Sequence, residues 1–273
     1  MPRKNEKPVM QYEDWAATSW YEKIIKRLSL DREMDVEAAK QLAKMVGDTS
    51  KTFDALKEKV QGKPVLLFGA GPSLAQDRLV LQQLPSPDCP AIFAADGATT
   101  ALLEQNVVPL FIVSDLDGRI DHIIGANKCG AYVAVHAHGD NIPALKAIVP
   151  QLIRTRIIGT MQVPPVPGLY NCGGFTDGDR AVFLADALGA SAIILAGFDL
   201  GDRVGVYSAP AFTTDQPATL QKREKLTIAK ELLEEFAPSL NATLYNVTAH
   251  GIAIKGFEKV VLRRLIEILK GSC

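Results

Sequence analysis

Ser114-Asp115-Leu116-Asp117-Gly118 sets two carboxylates on either side of one leucine, directly after the apolar run Leu110-Phe111-Ile112-Val113. A run of that length reads as a buried strand, so both acids fall at its C-terminal end. In open α/β sheets, ligands bind in the crevice outside those ends. Gly118 permits a tight turn that would let both acids serve one centre. Two buried carboxylates repel and raise each other's pKa, and a hard, oxygen-seeking cation such as Mg²⁺ relieves that repulsion. An Asp-rich turn whose acids only cap the next helix is the alternative.

Further polar residues recur where other apolar runs end. Gly69-Ala70-Gly71-Pro72-Ser73-Leu74 follows the first run. Gly69 and Gly71 would let backbone N–H groups approach a phosphate, with the following helix aimed at it and Ser73 adding a hydroxyl. The third glycine of a dinucleotide fingerprint is missing and no Gly-Lys-Ser/Thr is present, so a tight turn without ligand stays open. Ala95-Asp96-Gly97-Ala98 adds another acid beside a glycine. His136-Ala137-His138-Gly139-Asp140-Asn141 offers two histidines on one extended face, but no third ligand nearby favours zinc over polar contacts to phosphate or substrate. Asp140 either joins a metal site or caps the next helix.

The segment Cys172-Gly173-Gly174-Phe175-Thr176-Asp177-Gly178-Asp179-Arg180 is dense in glycine and acid. Capping by Thr176 or Asp177 accounts for part of it, while the paired glycines suit close approach of a ligand. Phe175 either stacks on a flat heterocycle or packs in the core. In Gly197-Phe198-Asp199-Leu200-Gly201, Asp199 is a ring or ribose contact or a turn residue. Lys222, Arg223 and Lys225 open a helix at the end where acids are the ordinary preference, which makes them candidates for gripping phosphate. Several acid-bearing strand ends with one glycine-rich cradle point to metal-dependent chemistry on a nucleotide.

The elements that would position these residues are readable. Helical patterns cover Trp20–Leu28, Asp31–Val46 and Ser50–Val60, and Gly62-Lys63-Pro64 then breaks the helix. Strand-length apolar runs follow at Val65–Gly69, Ala91–Ala95, Leu110–Val113, Ala131–Val135, Arg156–Gly159, Ala192–Ala196 and Thr243–Val247. Helical stretches separate most of them, at Leu74–Leu84, Thr99–Gln105, Arg119–Lys128, Ile142–Val149, Asp179–Leu188 and Thr219–Phe236, with Phe257–Lys270 last. This alternation predicts a doubly wound, mostly parallel α/β sheet over 63–273 with an N-terminal helical cap over 1–62. Pro164–Gly168 and Arg203–Pro217 read as loops of the kind that carry or cover sites.

Composition narrows the partners. With 273 residues and 47% hydrophobic content the chain can bury a large core. Lys and Arg total 30 against 31 Asp and Glu, so no global field draws it to nucleic acid or an anionic membrane, and a small-molecule partner is favoured. Cys89, Cys129, Cys172 and Cys273 form no CxxC pair, which argues against a zinc site or disulfide framework and suits a reducing cytoplasm. The charged start MPRKNEKPVMQYEDW lacks the apolar core of a signal peptide, and no run is long enough to span a membrane.

Taken in order, GAGPSL (69–74), ADGA (95–98), VSDLDG (113–118), HAHGDN (136–141) and GGFTDGDRA (173–181) resemble the archaeal-type 6-hydroxymethyl-7,8-dihydropterin pyrophosphokinases. That family is related in fold to thiamine pyrophosphokinase, whose ADGG and DFDS motifs are similar to ADGA and SDLDG here. The resemblance runs through roughly residues 60 to 255. It implies a thiamine-pyrophosphokinase-like fold and Mg²⁺-dependent transfer of pyrophosphate from ATP to the hydroxymethyl group of a dihydropterin, releasing AMP, in methanopterin or folate synthesis. It further implies Mg²⁺ on Asp115 and Asp117, with Asp140 the third acid, and a phosphate cradle at Gly69, Gly71 and Ser73. Asp96, Asn141, Lys222 and Arg223 would lie around the nucleotide. Gly174, Phe175, Thr176, Asp177, Asp179 and Asp199 would lie around the pterin, with Asp177 or Asp199 reading its amino-pyrimidine edge. A homo-oligomer is compatible with this picture. GAGPSL also resembles a loop of sialyltransferase-like glycosyltransferases that use cytidine sugar nucleotides, and a non-catalytic nucleotide-binding module is the third alternative; neither requires the aspartate pair.

Overall fold

The computed structural model describes residues 19–84 and 89–272. MPRKNEKPVMQYEDW and Cys273 lie outside the described residues. Among the described residues three helices come first: α1 (Trp20–Leu28), α2 (Arg32–Val46) and α3 (Ser50–Val60). Asp31 caps α2 by accepting from the Glu33 and Met34 N–H groups, and Gly47 ends it at φ 66°. Ala38, Ala39, Leu42 and Val46, spaced three and four apart, form its buried stripe.

Strands and helices then alternate: β1 (Pro64–Phe68), α4 (Leu74–Asp77), β2 (Ala91–Ala95), α5 (Ala98–Leu103), β3 (Phe111–Ser114), α6 (Ile120–Lys128), β4 (Tyr132–His136), α7 (Ile142–Ile148), β5 (Ile157–Thr160), α8 (Asp177–Ala187) and β6 (Ala192–Ala196). A short ribbon, β7 (Arg203–Val204) with β8 (Gln216–Pro217), precedes α9 (Leu220–Phe236), β9 (Thr243–Asn246), β10 (Glu258–Lys259) and α10 (Leu262–Ser272). The main sheet has the order β10-β9-β6-β1-β2-β3-β4-β5, and its strand pairs are parallel. This is the doubly wound arrangement that the alternation predicts.

β1 through β6 are buried along their length, as a parallel sheet covered on both faces requires. Alternate residues divide between the faces. Val65, Leu67, Phe93 and Val113 pack with α1, α3, α8 and α9 through Trp20, Ile24, Leu56, Phe183 and Leu232. Leu66, Phe68 and Ala94 pack with α5 and α10, and Ile112, Val133 and Val135 with α2, α6 and α7. The N-terminal helices therefore share the sheet's own cores. Truncating a side chain such as Leu67 to alanine costs about 2–5 kcal/mol.

The chain runs outward from β1 to β5 and then returns to lay β6 on the other side of β1. The strand order reverses between β1 and β6, so the ligand crevice of such a sheet opens at their carboxyl ends. Two local departures from the sequence expectation have visible causes. The helix expected over Leu74–Leu84 tightens to a 3₁₀ turn at Arg78–Gln83, where Asp77 turns inward to accept from the Gly197 and Ala249 N–H groups. The last helix begins at Leu262 instead of Phe257, because Glu258 and Lys259 pair with Tyr245 and Asn246. Cys89 is disulfide-bonded, although the cysteine spacing argues against a disulfide framework, while Cys129 and Cys172 are free. Among the described residues no helix is long and apolar enough to cross a membrane.

Candidate active site

At the end of β3 the backbone turns through Leu116 at φ 69°, with the Leu116 N–H donating to the Ser114 hydroxyl at 2.8 Å. A left-handed leucine is strained by on the order of 1–2 kcal/mol, and this turn swings Asp115 and Asp117 to one side. Gly118, expected to supply the turn, is needed for a different reason. A Cβ there would stand 2.1 Å from Oδ2 of Asp96. Asp96, at the end of β2, accepts from the Ser114 hydroxyl and itself sits at φ 37°. One carboxylate oxygen each from Asp96, Asp115 and Asp117 lies within 4.8 Å of the others.

The acids differ in their proton affinity. Burial, and then the charge of Asp117, push the Asp96 carboxyl up to about 7. Burial, and then Asp115, push Asp117 up to about 6. Burial also opposes the charge on Asp115, but a hydrogen bond and positive charge from His138, with help from Lys225, outweigh it and hold Asp115 low. His138 Nε2 is 3.4 Å from Asp115 Oδ2, while the buried Oδ1 of Asp115 has no hydrogen-bond partner. An all-oxygen donor set with mutual repulsion and an orphaned oxygen fits a small divalent cation such as Mg²⁺.

A cavity of about 510 Å³ covers these acids, within the range of pockets that enclose small-molecule ligands. Gly69-Ala70-Gly71, Gly97, His138, Gln162, Phe175, Asp177, Asp199, Lys222 and Lys225 are on its wall. Gly71 has no room for a side chain, since a Cβ would meet Oδ2 of Asp199 at 2.1 Å. The 203–217 loop closes down over the strand ends: a Cβ at Gly97 would stand 1.9 Å from the Tyr207 carbonyl oxygen, and one at Gly205 2.5 Å from that of Gly71.

The expected site residues separate into those that face this cavity and those that hold it. Gly69, Gly71, Asp96, Asp115, Asp117, Asp140, Phe175, Thr176, Asp177, Asp179, Asp199 and Lys222 border it. Asp140 is exposed on a 3₁₀ turn and stands outside the acid group, in which Asp96 takes the third place. Ser73 is buried, with its hydroxyl donating to Asp199 Oδ1 at 2.6 Å and accepting from the His250 N–H at 3.1 Å. Asn141 braces the site from below, donating to the carbonyls of Asp115 at 2.8 Å and His136 at 2.7 Å. Asp179 caps α8, accepting from the Phe175 and Thr176 N–H groups at 2.7 Å. Gly174 packs against Arg180, which a Cβ would meet at 2.5 Å. Arg223 turns back to the Ala218 carbonyl at 3.1 Å, and Lys225, one turn along from Lys222, takes the cavity face in its place.

Sequence reasoning gave no role to two of the structural partners here. Asp35 of α2 accepts from the Tyr21 hydroxyl, the Gly139 N–H and the Gln162 amide, each at 2.8 Å, and so ties the first helices to the ends of β4 and β5. Arg180 is fully buried and donates to Nε2 of His136 at 3.1 Å and to the Phe175 carbonyl at 3.2 Å. Burial and that guanidinium hold the His136 pKa well below its usual value, so the ring is a neutral acceptor. Lys225, already a phosphate candidate beside Lys222 and Arg223, shares the helical face of Lys222 through its i,i+3 spacing and borders the cavity.

Sheet order and site together define a doubly wound α/β protein with an acid-lined crevice beside its switch point. The chain belongs to the family described as 6-hydroxymethylpterin diphosphokinase MptE-like, whose model matches residues 37–205. It is 45% identical over 216 residues to a protein of Methanothermobacter thermautotrophicus, covering 79% of this chain and 91% of that one. It is 40% identical to one of Pyrococcus furiosus, covering 82% and 94%, and 38% identical to one of Methanocaldococcus jannaschii, covering 82% and 95%. All three are named 6-hydroxymethyl-7,8-dihydropterin pyrophosphokinase. Among solved structures, the MAf glycosyltransferase from Magnetospirillum magneticum AMB-1 superposes with a TM-score of 0.51 at 15% identity. The match covers 80% of this chain but 39% of that one, and it is a likeness of fold.

Proposed function

We propose that this chain transfers the β,γ-pyrophosphoryl group of ATP to the hydroxymethyl oxygen of a 6-hydroxymethyl-7,8-dihydropterin. The new bond joins that oxygen to the β-phosphorus. The bond from the β-phosphorus to the oxygen bridging to the α-phosphorus breaks, AMP leaves with that oxygen, and the proton of the hydroxymethyl group is released to water. The product diphosphate would feed tetrahydromethanopterin or folate synthesis. Family membership supports the reaction class, and the observation that carries the site is the carboxylate group of Asp96, Asp115 and Asp117 on a wall shared with Lys222 and Lys225.

The chain's own residues have divided tasks in this reading. Asp96, Asp115 and Asp117 would hold Mg²⁺, which when bound neutralises phosphate charge and charge developing on the leaving group. Lys222 and Lys225 face the same space as point charges for the phosphates. The backbone at Gly69 to Gly71 offers close approach because no side chain stands in the way. His138 keeps Asp115 ionised, and Asn141 fixes the Asp115 backbone, so the acceptor and the β-phosphorus meet in a preset frame.

Incubation with ATP, Mg²⁺ and 6-hydroxymethyl-7,8-dihydropterin tests this directly. AMP together with a pterin diphosphate identified by mass spectrometry is the expected result. ADP, or no nucleotide turnover, would overturn the assignment.

A further inference from the structure

The 203–217 loop covers the cavity, and the phosphate chemistry does not explain how it is held there. Arg203, Val204 and Ser208 border the cavity from this side. A Cβ at Gly205 would stand 2.5 Å from the Gly71 carbonyl oxygen and 2.6 Å from that of Ala70, so the loop lies directly on the turn after β1. Its internal hydrogen bonds are self-contained. The Val206 N–H donates to Asp215 Oδ1 at 2.9 Å, and Arg203 donates to the Asp215 carbonyl at 3.0 Å. Ser208 donates to the Gly205 carbonyl through its N–H at 2.9 Å and its hydroxyl at 2.8 Å. A segment tied to itself in this way swings as one piece about its ends.

What ties the loop to the body is a side chain outside the cavity. The Tyr207 hydroxyl donates to Glu104, just after α5, and accepts from Arg78 at 2.9 Å, with the guanidinium 5.4 Å from the ring centre. Arg78 is itself fixed, donating to Glu104 at 2.6 Å and to the Ala101 carbonyl at 3.1 Å. Burial opposes the charge on Glu104, but the bonds from Tyr207 and Arg78 outweigh it and hold its carboxyl below the usual range, so the acceptor is an anion. Among the described residues, the one other hydrogen bond between 203–217 and the rest of the chain is a long contact of 3.5 Å from Arg119 to the Pro210 carbonyl. One charge-assisted hydroxyl therefore carries most of the loop's polar attachment. Tyr207, Arg78 and Glu104 are all off the cavity wall, so this anchor is separate from the groups that face the ligands.

We propose that Tyr207 is a positioning residue for pyrophosphoryl transfer: anchored to Glu104 and Arg78, it keeps the 203–217 loop closed over the ends of β1 and β2 and so denies water access to the β-phosphorus. The inference rests on the diphosphotransfer reading and goes beyond it, to what selects the nucleophile. An alcohol and water attack phosphorus in the same way, and a site that presents the β-phosphorus to the first also presents it to the second. In the competing reaction the oxygen of water bonds to the β-phosphorus, and the bond from that phosphorus to the α–β bridging oxygen breaks. AMP leaves with that oxygen, one proton of the water passes to solvent, and inorganic pyrophosphate is released. The groups that bind phosphate serve both reactions alike and cannot discriminate between them. Closure of the loop can, because it decides whether solvent reaches the strand ends.

The test measures both products at once, in the full chain with ATP, Mg²⁺ and saturating 6-hydroxymethyl-7,8-dihydropterin. Pterin diphosphate is read by mass spectrometry, and inorganic pyrophosphate as the phosphate that added pyrophosphatase liberates. The parent protein should form one pterin diphosphate for each AMP. Tyr207→Phe removes the hydroxyl but leaves the ring and the Arg78–Glu104 pair in place. Pyrophosphate released per pterin diphosphate should then rise about tenfold, as expected for the loss of one hydrogen bond to a charged group. Glu104→Ala, on the outer side of the anchor, should move that ratio the same way. Arg119→Ala gives up only the long contact to Pro210 and should change it less than about twofold. Thermal melting establishes that each variant is folded. An unchanged ratio in folded Tyr207→Phe, or loss of both products in parallel, overturns the assignment of Tyr207. A parent protein that releases no AMP overturns the diphosphotransfer reading and this inference with it, so the two failures are told apart.

Discussion

Asp199, at the end of β6, takes both hydrogen bonds that Ser73 has to give, from the backbone N–H at 3.0 Å and from the hydroxyl at 2.6 Å. Residues 126 positions apart in sequence thereby clamp the glycine turn after β1 to the neighbouring strand. Gly71 is packed under the same carboxylate. The turn's shape is thus set by the protein before any phosphate arrives.

Asp199→Ala should loosen that turn. It strands the buried Ser73 N–H and hydroxyl, which costs about 1–3 kcal/mol in chemical denaturation. The KM for ATP should rise severalfold with a smaller change in the KM for pterin, measured in steady state; equal effects on both would remove the turn from the nucleotide side.

Asp115→Asn and Asp117→Asn should each reduce activity by roughly 100-fold or more while leaving the circular dichroism spectrum unchanged. Their effects on stability should differ. Burial and the Asp115 charge both work against Asp117, so Asp117→Asn should raise the melting temperature of the metal-free protein at pH 8. Asp115 is held low by His138, and Asp115→Asn forfeits that pairing, so no such gain is expected. A stabilised Asp115→Asn would contradict this division.

The pH dependence of stability follows from the raised carboxyls. Asp96 at about 7 and Asp117 at about 6 hold protons in the metal-free folded state that the unfolded chain releases near pH 4. Where the folded state binds more protons, stability falls as pH rises, so the metal-free protein should lose melting temperature between about pH 4 and pH 7 through these groups. Mg²⁺ competes with those protons. Its stabilising effect should therefore be larger at pH 8 than at pH 5.5 in calorimetry, and an effect independent of pH would exclude this acid group as the cation's site.

Lys225→Ala should weaken binding of MgATP by about tenfold, the effect of losing one charged contact of about 1.5 kcal/mol. Arg223→Ala should change it by less than about twofold, because that side chain is spent on the Ala218 carbonyl. Titration calorimetry with a non-hydrolysable analogue separates the two, and a larger effect at Arg223 would reverse the assignment of the basic face.

Much of the frame could be read directly from residues. Ala91–Ala95 and Ala192–Ala196 are strands at the expected bounds, because a continuous apolar run in an alternating chain has nowhere to lie but a covered parallel sheet. The pairing of Asp115 with Asp117 was equally visible, since the neighbours are local. What depends on the sheet's order was not. Asp96 and Asp140 look alike as acids beside glycines after apolar runs, and only strand neighbours decide that β2 brings Asp96 to Asp115 and Asp117. Arg223 and Lys225 likewise differ by a rotation about the α9 axis that composition does not encode. Asp35 was illegible for another reason: an acid in the first turn of a helix is ordinary, and its three donors come from distant segments.

The backbone at Gly71, Gly97 and Gly118 lies against Asp199, Tyr207 and Asp96 at distances that exclude even a methyl group. A carboxylate can be exchanged for an amide of the same shape, but a hydrogen at these positions has no isostere. Drift of the sequence around this cavity is consequently narrowest at residues that contribute no functional group. Variants recovered from saturation mutagenesis of this cavity would then carry their changes at its other wall residues, with these glycines left as they are.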